Sequence, residues 1–292
     1  MYPRILLAIS ALLAPWANAA PLPETERFSV ATAKPLTGDE RPAGEAVMTV
    51  YHPPNANGTA VLIYPGGGYG GLVVGGEGHG IAKWFGEHGV TGVVVEYRLP
   101  KGNSSIPLSD AKRATRIVRS HAAEWNLNPA RIGNIGFSAG GHLASTASTH
   151  FDKGDPSAAD PIDKQSSRPD FSILIYPVIS MGAAGHGGST RNLLGPSPDA
   201  KALELFSNEK QVTSDTPPTF LAHAQDDKVV PPANSQRYFD ALEKHHVPAE
   251  YLKLPSGGHG LNGYKGPMWE AWKTGSLKWL ASLRLIPAAD AE

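Results

Sequence analysis

The chain of 292 residues carries a net charge of −1, with 41% apolar and 18% charged residues. That balance excludes a disordered chain and supplies no basic patch for nucleic acid. Its 32 glycines and 26 prolines stay short of the ~25–30% that marks low-complexity sequence, and the absence of cysteine excludes disulfides, a catalytic thiol and cysteine-ligated metal.

Residues 1–19 read as a signal peptide. Arg4 is their only charge, Ile5 to Ala14 is apolar, and Ala17-Asn18-Ala19 offers a small-x-small cleavage site. The apolar run is shorter than the ~20 residues of a spanning helix, so no membrane span is expected. The expected location is secreted or periplasmic. Residues 20–45, rich in Pro, Glu and Thr, read as an extended arm. Residues 46–292 contain no repeat or linker and are expected to form one catalytic domain.

Within that domain, Val47–Tyr51 reads as an edge strand and Thr59–Tyr64 as a strand buried on both faces. Ile81–His88 reads as a helix stopped by Gly89, and Val90–Tyr97 as another buried strand. Leu108, Ala111, Thr115, Val118, Ala122 and Trp125 recur at helical spacing, with Lys112, Arg113, Arg116 and Arg119 opposite. Asp110 is expected in the first turn of that helix, where it would suit the dipole. Ile132–Phe137 and Phe171–Tyr176 read as strands around a small-residue helix, Ala139–His150. Residues 178–217 read as one long irregular insertion holding a weak helix, Ala200–Phe206. Thr219–Ala224 (strand), Ala233–His245 (helix), Ala249–Leu254 (strand) and Trp269–Leu283 (helix) close the chain. The alternation predicts an α/β fold with a mostly parallel sheet and helices on both faces.

Gly136-Phe137-Ser138-Ala139-Gly140 spells G-x-S-x-G between a strand and a helix, the context in which a serine is presented on a strained turn. A serine hydroxyl is a weak nucleophile without a base, and the base needs an orienting carboxylate. These partners are expected in the order Ser, Asp, His, on loops after late strands. Asp226 and Asp227 follow one such strand, with Asp227 preferred because it sits later in the turn. His259, between glycines, follows the last strand. Developing negative charge also needs preorganised N–H donors. Gly67 and Gly68, in the run after Thr59–Tyr64, and the amide of Ala139 are the candidates for that oxyanion hole.

A nucleotide-binding reading of Gly66-Gly67-Gly68-Tyr69-Gly70-Gly71 is weak, because any run of glycines spells G-x-G-x-x-G. No H-E-x-x-H or other helical metal pair occurs, so neither a metal nor a cofactor is expected. His142 reads as a packed structural histidine, and His245-His246 as solvated. His79 and His186 lie in glycine-rich loops that could reach substrate. Tyr69, Trp84 and Trp125 could form a sugar platform but read first as core.

In order, YPGGGYGG, VVVEYRLP, GFSAGGHLAS, HAQDDKVVPPANS and PSGGHG resemble the secreted bacterial α/β-hydrolases of the carbohydrate esterase branch, which includes acetylxylan and feruloyl esterase-like proteins. The resemblance covers roughly residues 45–285. It implies an α/β-hydrolase fold with Ser138 as nucleophile, His259 as base, Asp227 as orienting acid and the glycine run as oxyanion loop. It further implies a cofactor-free serine esterase whose partner is an acylated carbohydrate, most simply acetylated xylan. Feruloyl or short-chain acyl esterases and serine peptidases share the machinery. Pro65 stands where related esterases often carry the histidine of H-G-G-G. The glycine-rich segment 182–195 has no chemistry of its own and is the first candidate for selecting substrate.

Overall fold

The computed structural model describes residues 24–38, 41–183 and 185–288; the expected signal peptide lies outside them. Eight strands form one sheet: β1 (Thr25–Ser29), β2 (Val47–Tyr51), β3 (Ala60–Tyr64), β4 (Thr91–Glu96), β5 (Ile132–Phe137), β6 (Ser172–Ile175), β7 (Thr219–Ala224) and β8 (Ala249–Leu254). Their spatial order is β1-β2-β4-β3-β5-β6-β7-β8. β1 and β2 run antiparallel to their neighbours, and β3 to β8 are mutually parallel.

The buried strands have no polar face because both sides are covered. Successive side chains point to opposite faces. Leu62, Tyr64, Val93, Val95, Leu174 and Leu221 therefore join one core with α2 (Ser105–Ser120), α3 (Ala139–Thr149) and α6 (Ala233–Lys244). Val61, Ile63, Val94, Ile135, Phe137, Ile173, Ile175 and Phe220 join the other with α1 (Gly80–Glu87) and α8 (Pro267–Ser282). The expected α/β layering is thus present, and Gly89 stands just past α1 with φ +70°.

Four expectations are corrected. The edge position belongs to β1, which pairs from Thr25↔Tyr51 to Ser29↔Val47 and leaves β2 inside the sheet. β1 lies in the segment read as an arm, held by Phe28 against Trp125 with ring centroids 5.5 Å apart. The 178–217 stretch is only partly irregular, since it holds α4 (Gly187–Leu194) and α5 (Ala200–Leu205). α4 escapes a sequence reading because it opens on two glycines; its cap is the His186 ring, which accepts from the Ser189 amide. Finally, α2 begins at Ser105 and ends at Ser120. Asp110 is therefore not in its first turn; its carboxylate accepts from the Arg98 amide at 2.8 Å and pairs with the Arg98 guanidinium at 2.6 Å. Ala122 and Trp125 stay buried beyond the helix end. A short left-handed turn, α7 (Leu261–Tyr264), precedes α8.

Candidate active site

Because β3, β5, β7 and β8 are parallel, the loops at their C-terminal ends converge at one end of the sheet, where open α/β folds gather functional groups. Ser138 occupies the turn between β5 and α3 with φ 53° and ψ −118°. For a non-glycine residue this conformation costs ~1–3 kcal/mol and persists only where its surroundings enforce it. They do so here: the Ser138 amide donates to Ile175 O, and its carbonyl accepts from the His142 and Val178 amides. The glycines on either side are steric requirements. A Cβ on Gly136 would run into the Gly140 carbonyl, and one on Gly140 into that of Tyr64.

His259 Nε2 lies 2.8 Å from Ser138 Oγ, and its Nδ1 lies 2.7 Å from Asp227 Oδ2. With Nδ1–H donated to Asp227, Nε2 is left to accept the serine proton. The Asp227 side chain is fully buried. Its Oδ1 accepts from the Val229 and Val230 amides at 2.8 and 3.0 Å. Burial pushes the Asp227 carboxyl up, but hydrogen bonds from His223, His259 and the Val230 amide outweigh it and hold the group well below the usual carboxylate range. Asp226 takes a different task. It accepts from the amides of Gly258 and Gly257 at 2.8 and 3.3 Å, fixing the loop that carries His259.

The glycine run lies against Ser138, since a Cβ on Gly66 would stand 3.0 Å from Ser138 Cβ. Gly67 and Gly68 have φ of 123° and 62°, open to glycine but strained for other residues. The amides of Gly67, Gly68 and Ala139 have no partner among the described residues. Side chains brace the loop from below. Tyr97 donates to Pro65 O at 2.8 Å, and the Tyr69 hydroxyl meets His142 Nδ1 at 2.8 Å.

Three residues that sequence reasoning passed over complete the site. His223 Nε2 lies 3.0 Å from Val230 O and 3.2 Å from Asp227 Oδ2. A carbonyl can only accept, so this nitrogen carries the proton and Asp227 serves two histidines. Glu77, in the π-helical turn Gly75–His79 before α1, is buried with its Oε2 accepting from the Gly66 amide at 2.7 Å and its Oε1 from the Tyr176 hydroxyl at 3.0 Å. Tyr264 is its third partner. Burial pushes the Glu77 carboxyl up despite these bonds. Its one sequence signal is a lone carboxylate within an uncharged glycine-rich stretch. Asn192, on α4, donates from Nδ2 to Gly68 O at 2.9 Å.

The other sequence candidates divide. His142 is fully buried: Nε2 donates to Phe206 O at 2.8 Å, leaving Nδ1 to accept from Tyr69. Burial lowers its pKa to about 4. His79 bonds the Tyr51 hydroxyl at 2.9 Å. Trp84 packs edge-on against Trp272, Trp125 is stacked on His121, and Tyr69 is buried under the glycine loop; none offers an open platform. His245 and His246 end α6, the first half-buried and the second exposed. His186 does border the site. Its Cε1 would lie 3.9 Å from a Cβ on Gly68.

Comparisons with known proteins identify the family of the chain. The BD-FAE family model matches residues 48–242. The chain is 38% identical over 234 residues to an acetylxylan esterase of Xylanibacter ruminicola, a match covering 78% of this chain and 46% of that protein. It is 35% identical over 231 residues to endo-1,4-beta-xylanase B of Butyrivibrio fibrisolvens, covering 77% and 36%. The chain thus spans less than half the length of these two relatives. The crystal structure of an acetyl ester-xyloside bifunctional hydrolase from Caldicellulosiruptor lactoaceticus superposes with a TM-score of 0.80 at 38% identity, covering 86% of this chain and 92% of that one. The fold is that of the α/β-hydrolases.

Proposed function

Because the chain belongs to the BD-FAE family, we propose that it is a serine carboxylic ester hydrolase that removes acetyl groups from xylan-type polysaccharide or its fragments. The observation that carries the reading is the continuous Asp227–His259–Ser138 hydrogen-bond chain, 2.7 and 2.8 Å long, beside a glycine loop with unpaired amides. The relatives named as xylan-active enzymes support the substrate class.

In this mechanism His259 Nε2 takes the proton of Ser138 as Oγ attacks the ester carbonyl carbon. Asp227 stabilises the resulting imidazolium. The carbonyl oxygen gains its negative charge against the amides of Gly67, Gly68 and Ala139, where each donor is worth ~3 kcal/mol of barrier. His259 returns the proton to the departing sugar oxygen, giving an acetyl-serine and a free hydroxyl. Water, deprotonated by the same imidazole, attacks the acetyl-serine and releases acetate. The first of these proton transfers runs between Ser138 Oγ and His259 Nε2, which already lie 2.8 Å apart.

Residues 1–19 would direct export and be cleaved after Ala19, leaving the hydrolase domain with its N-terminal extension outside the cytoplasm. The test uses the chain recovered from the extracytoplasmic fraction of an exporting host, where its N-terminus should be Ala20. Acetate and ferulate released from acetylated, feruloylated xylan are measured for wild type and Ser138→Ala. Acetate release should dominate and fall by at least ~10³-fold in the variant. Wild-type turnover by Ser138→Ala would sink the serine mechanism; dominant ferulate release would replace the acyl group, and an uncleaved Met1 terminus would count against export.

A further inference from the structure

We propose that His186 is a specificity-determining residue that binds the sugar, its Nε2–H donating to a hydroxyl or ring oxygen beside the acetylated carbon. The inference rests on the substrate reading above and assigns the segment that the sequence left without chemistry.

The ring is held in place. His186 Nδ1 accepts from the Ser189 amide at 3.2 Å and lies 2.9 Å from Ser189 Oγ, so it caps α4. An amide N–H can only donate, so Nδ1 carries no proton and Nε2 does. Gly188 leaves room for the ring, since a Cβ there would come within 2.9 Å of Cε1. The helix behind it is bolted to the oxyanion loop. Asn192 donates to Gly68 O at 2.9 Å, and the Asn192 carbonyl accepts from the Gly102 amide at 2.8 Å.

The ring borders the glycine loop next to Ser138. Its Cε1 lies 3.9 Å from where a Cβ on Gly68 would stand. Burial lowers its pKa, which favours the uncharged donor suited to an uncharged sugar. Nε2 has no hydrogen-bond partner among the described residues, yet His186 is only half-buried and this atom is not sealed from solvent. A donor left without a partner beside the glycine loop is a recognition element waiting for an acceptor.

The chemistry of the substrate says which acceptor. In an acetyl ester the methyl group accepts nothing, and the carbonyl oxygen is taken by the loop amides. The acceptors left near the ester are the neighbouring hydroxyls and ring oxygen of the sugar. An aryl acetate has the same acyl group and none of these.

The discriminating variant is His186→Asn. Asparagine is a good helix N-cap, so α4 keeps its start while the Nε2 donor is lost. Steady-state kinetics are measured on acetylated xylo-oligosaccharide and on p-nitrophenyl acetate. The ratio of kcat/KM, sugar ester over aryl ester, should fall about 10-fold, mainly through KM for the sugar ester. The inhibition constant of deacetylated xylotriose against aryl acetate hydrolysis should rise by a similar factor. An unchanged ratio, with both substrates affected equally or not at all, overturns the proposal. If the wild type cleaves the aryl ester but no acetylated sugar, the substrate reading itself fails and takes this inference with it; the wild-type assay alone reveals that case.

Discussion

Single side chains around the site act by holding other groups still. Asp227 is kept ionised by two histidines and two amides, so His259 always faces a charged partner. The acidic side of His142 has a measurable consequence. Its ordinary pKa is 6.5, and burial lowers it to about 4 in the folded chain. Between those values the unfolded chain binds a proton that the folded chain refuses. The stability it contributes is therefore complete above pH ~6.5 and lost as pH falls toward ~4. His52, His79 and His150 are also lowered by burial and act with the same sign. Urea unfolding between pH 7 and 4.5 should show stability falling. The slope in His142→Gln should be shallower by up to ~1.4 kcal/mol per pH unit. An unaltered slope would mean that His142 titrates alike in both states. Here the sequence offered the packed histidine but not its partner, because Tyr69 lies 73 residues away.

At the scale of elements, the glycine loop after β3 and the loop carrying His259 are joined through one buried carboxylate. Glu77 holds the Gly66 amide, the Tyr176 hydroxyl and Tyr264. Tyr176 lies edge-on to His259, with ring centroids 5.0 Å apart. Tyr264 ends a run in which Gly260, Leu261, Asn262, Gly263 and Tyr264 all have positive φ. A left-handed turn with three non-glycine residues costs ~1–2 kcal/mol for each of them, and the Glu77 contact helps to keep it. Glu77→Ala should thus misplace the Gly66 amide and lower kcat about 10- to 100-fold with little change in KM. Glu77→Gln should recover most of the loss, because its amide oxygen can still accept from Gly66. A simple folding defect would instead lower the active fraction and the Tm in both variants with kcat per active site, counted by serine titration, unchanged. The strand-turn-helix around Ser138 was legible beforehand because its signature residues all fall within the five of G-x-S-x-G. The role of Glu77 was not, since its three partners come from three separate segments.

For the whole molecule, the sheet transmits support from one face to Ser138. Phe137, adjacent to Ser138, packs edge-on against Trp272 with centroids 5.6 Å apart, and Trp272 in turn meets Trp84 and Trp269. On the opposite face, α2 is tied down by ion pairs of Arg113 with Asp160 and Asp163, Arg116 with Asp152 and Arg119 with Asp170. Partly exposed pairs of this kind are worth little individually, so the aromatic face should dominate stability. Trp272→Ala is expected to cost ~3–5 kcal/mol in urea unfolding. Trp272→Phe should cost clearly less, because the buried indole nitrogen has no hydrogen-bond partner to lose. Equal losses in the two variants would contradict a packing role.

The amino-acid sequence alone determined what depends on neighbours along the chain. Apolar period distinguishes buried strands from half-buried helices, and glycines at fixed offsets mark turns that tolerate no Cβ, as at Gly136 and Gly140. The alternating order of elements then implied a mostly parallel sheet. Tertiary structure decided what depends on closure between distant loops: β1 at the sheet edge, His223 behind Asp227, Glu77 beneath Gly66 and His186 over Gly68. A polar side chain has no period that names its partner. Its role is set by which acceptor or donor the fold leaves within about 3 Å, and that distance exists only once the sheet has brought four loop ends together.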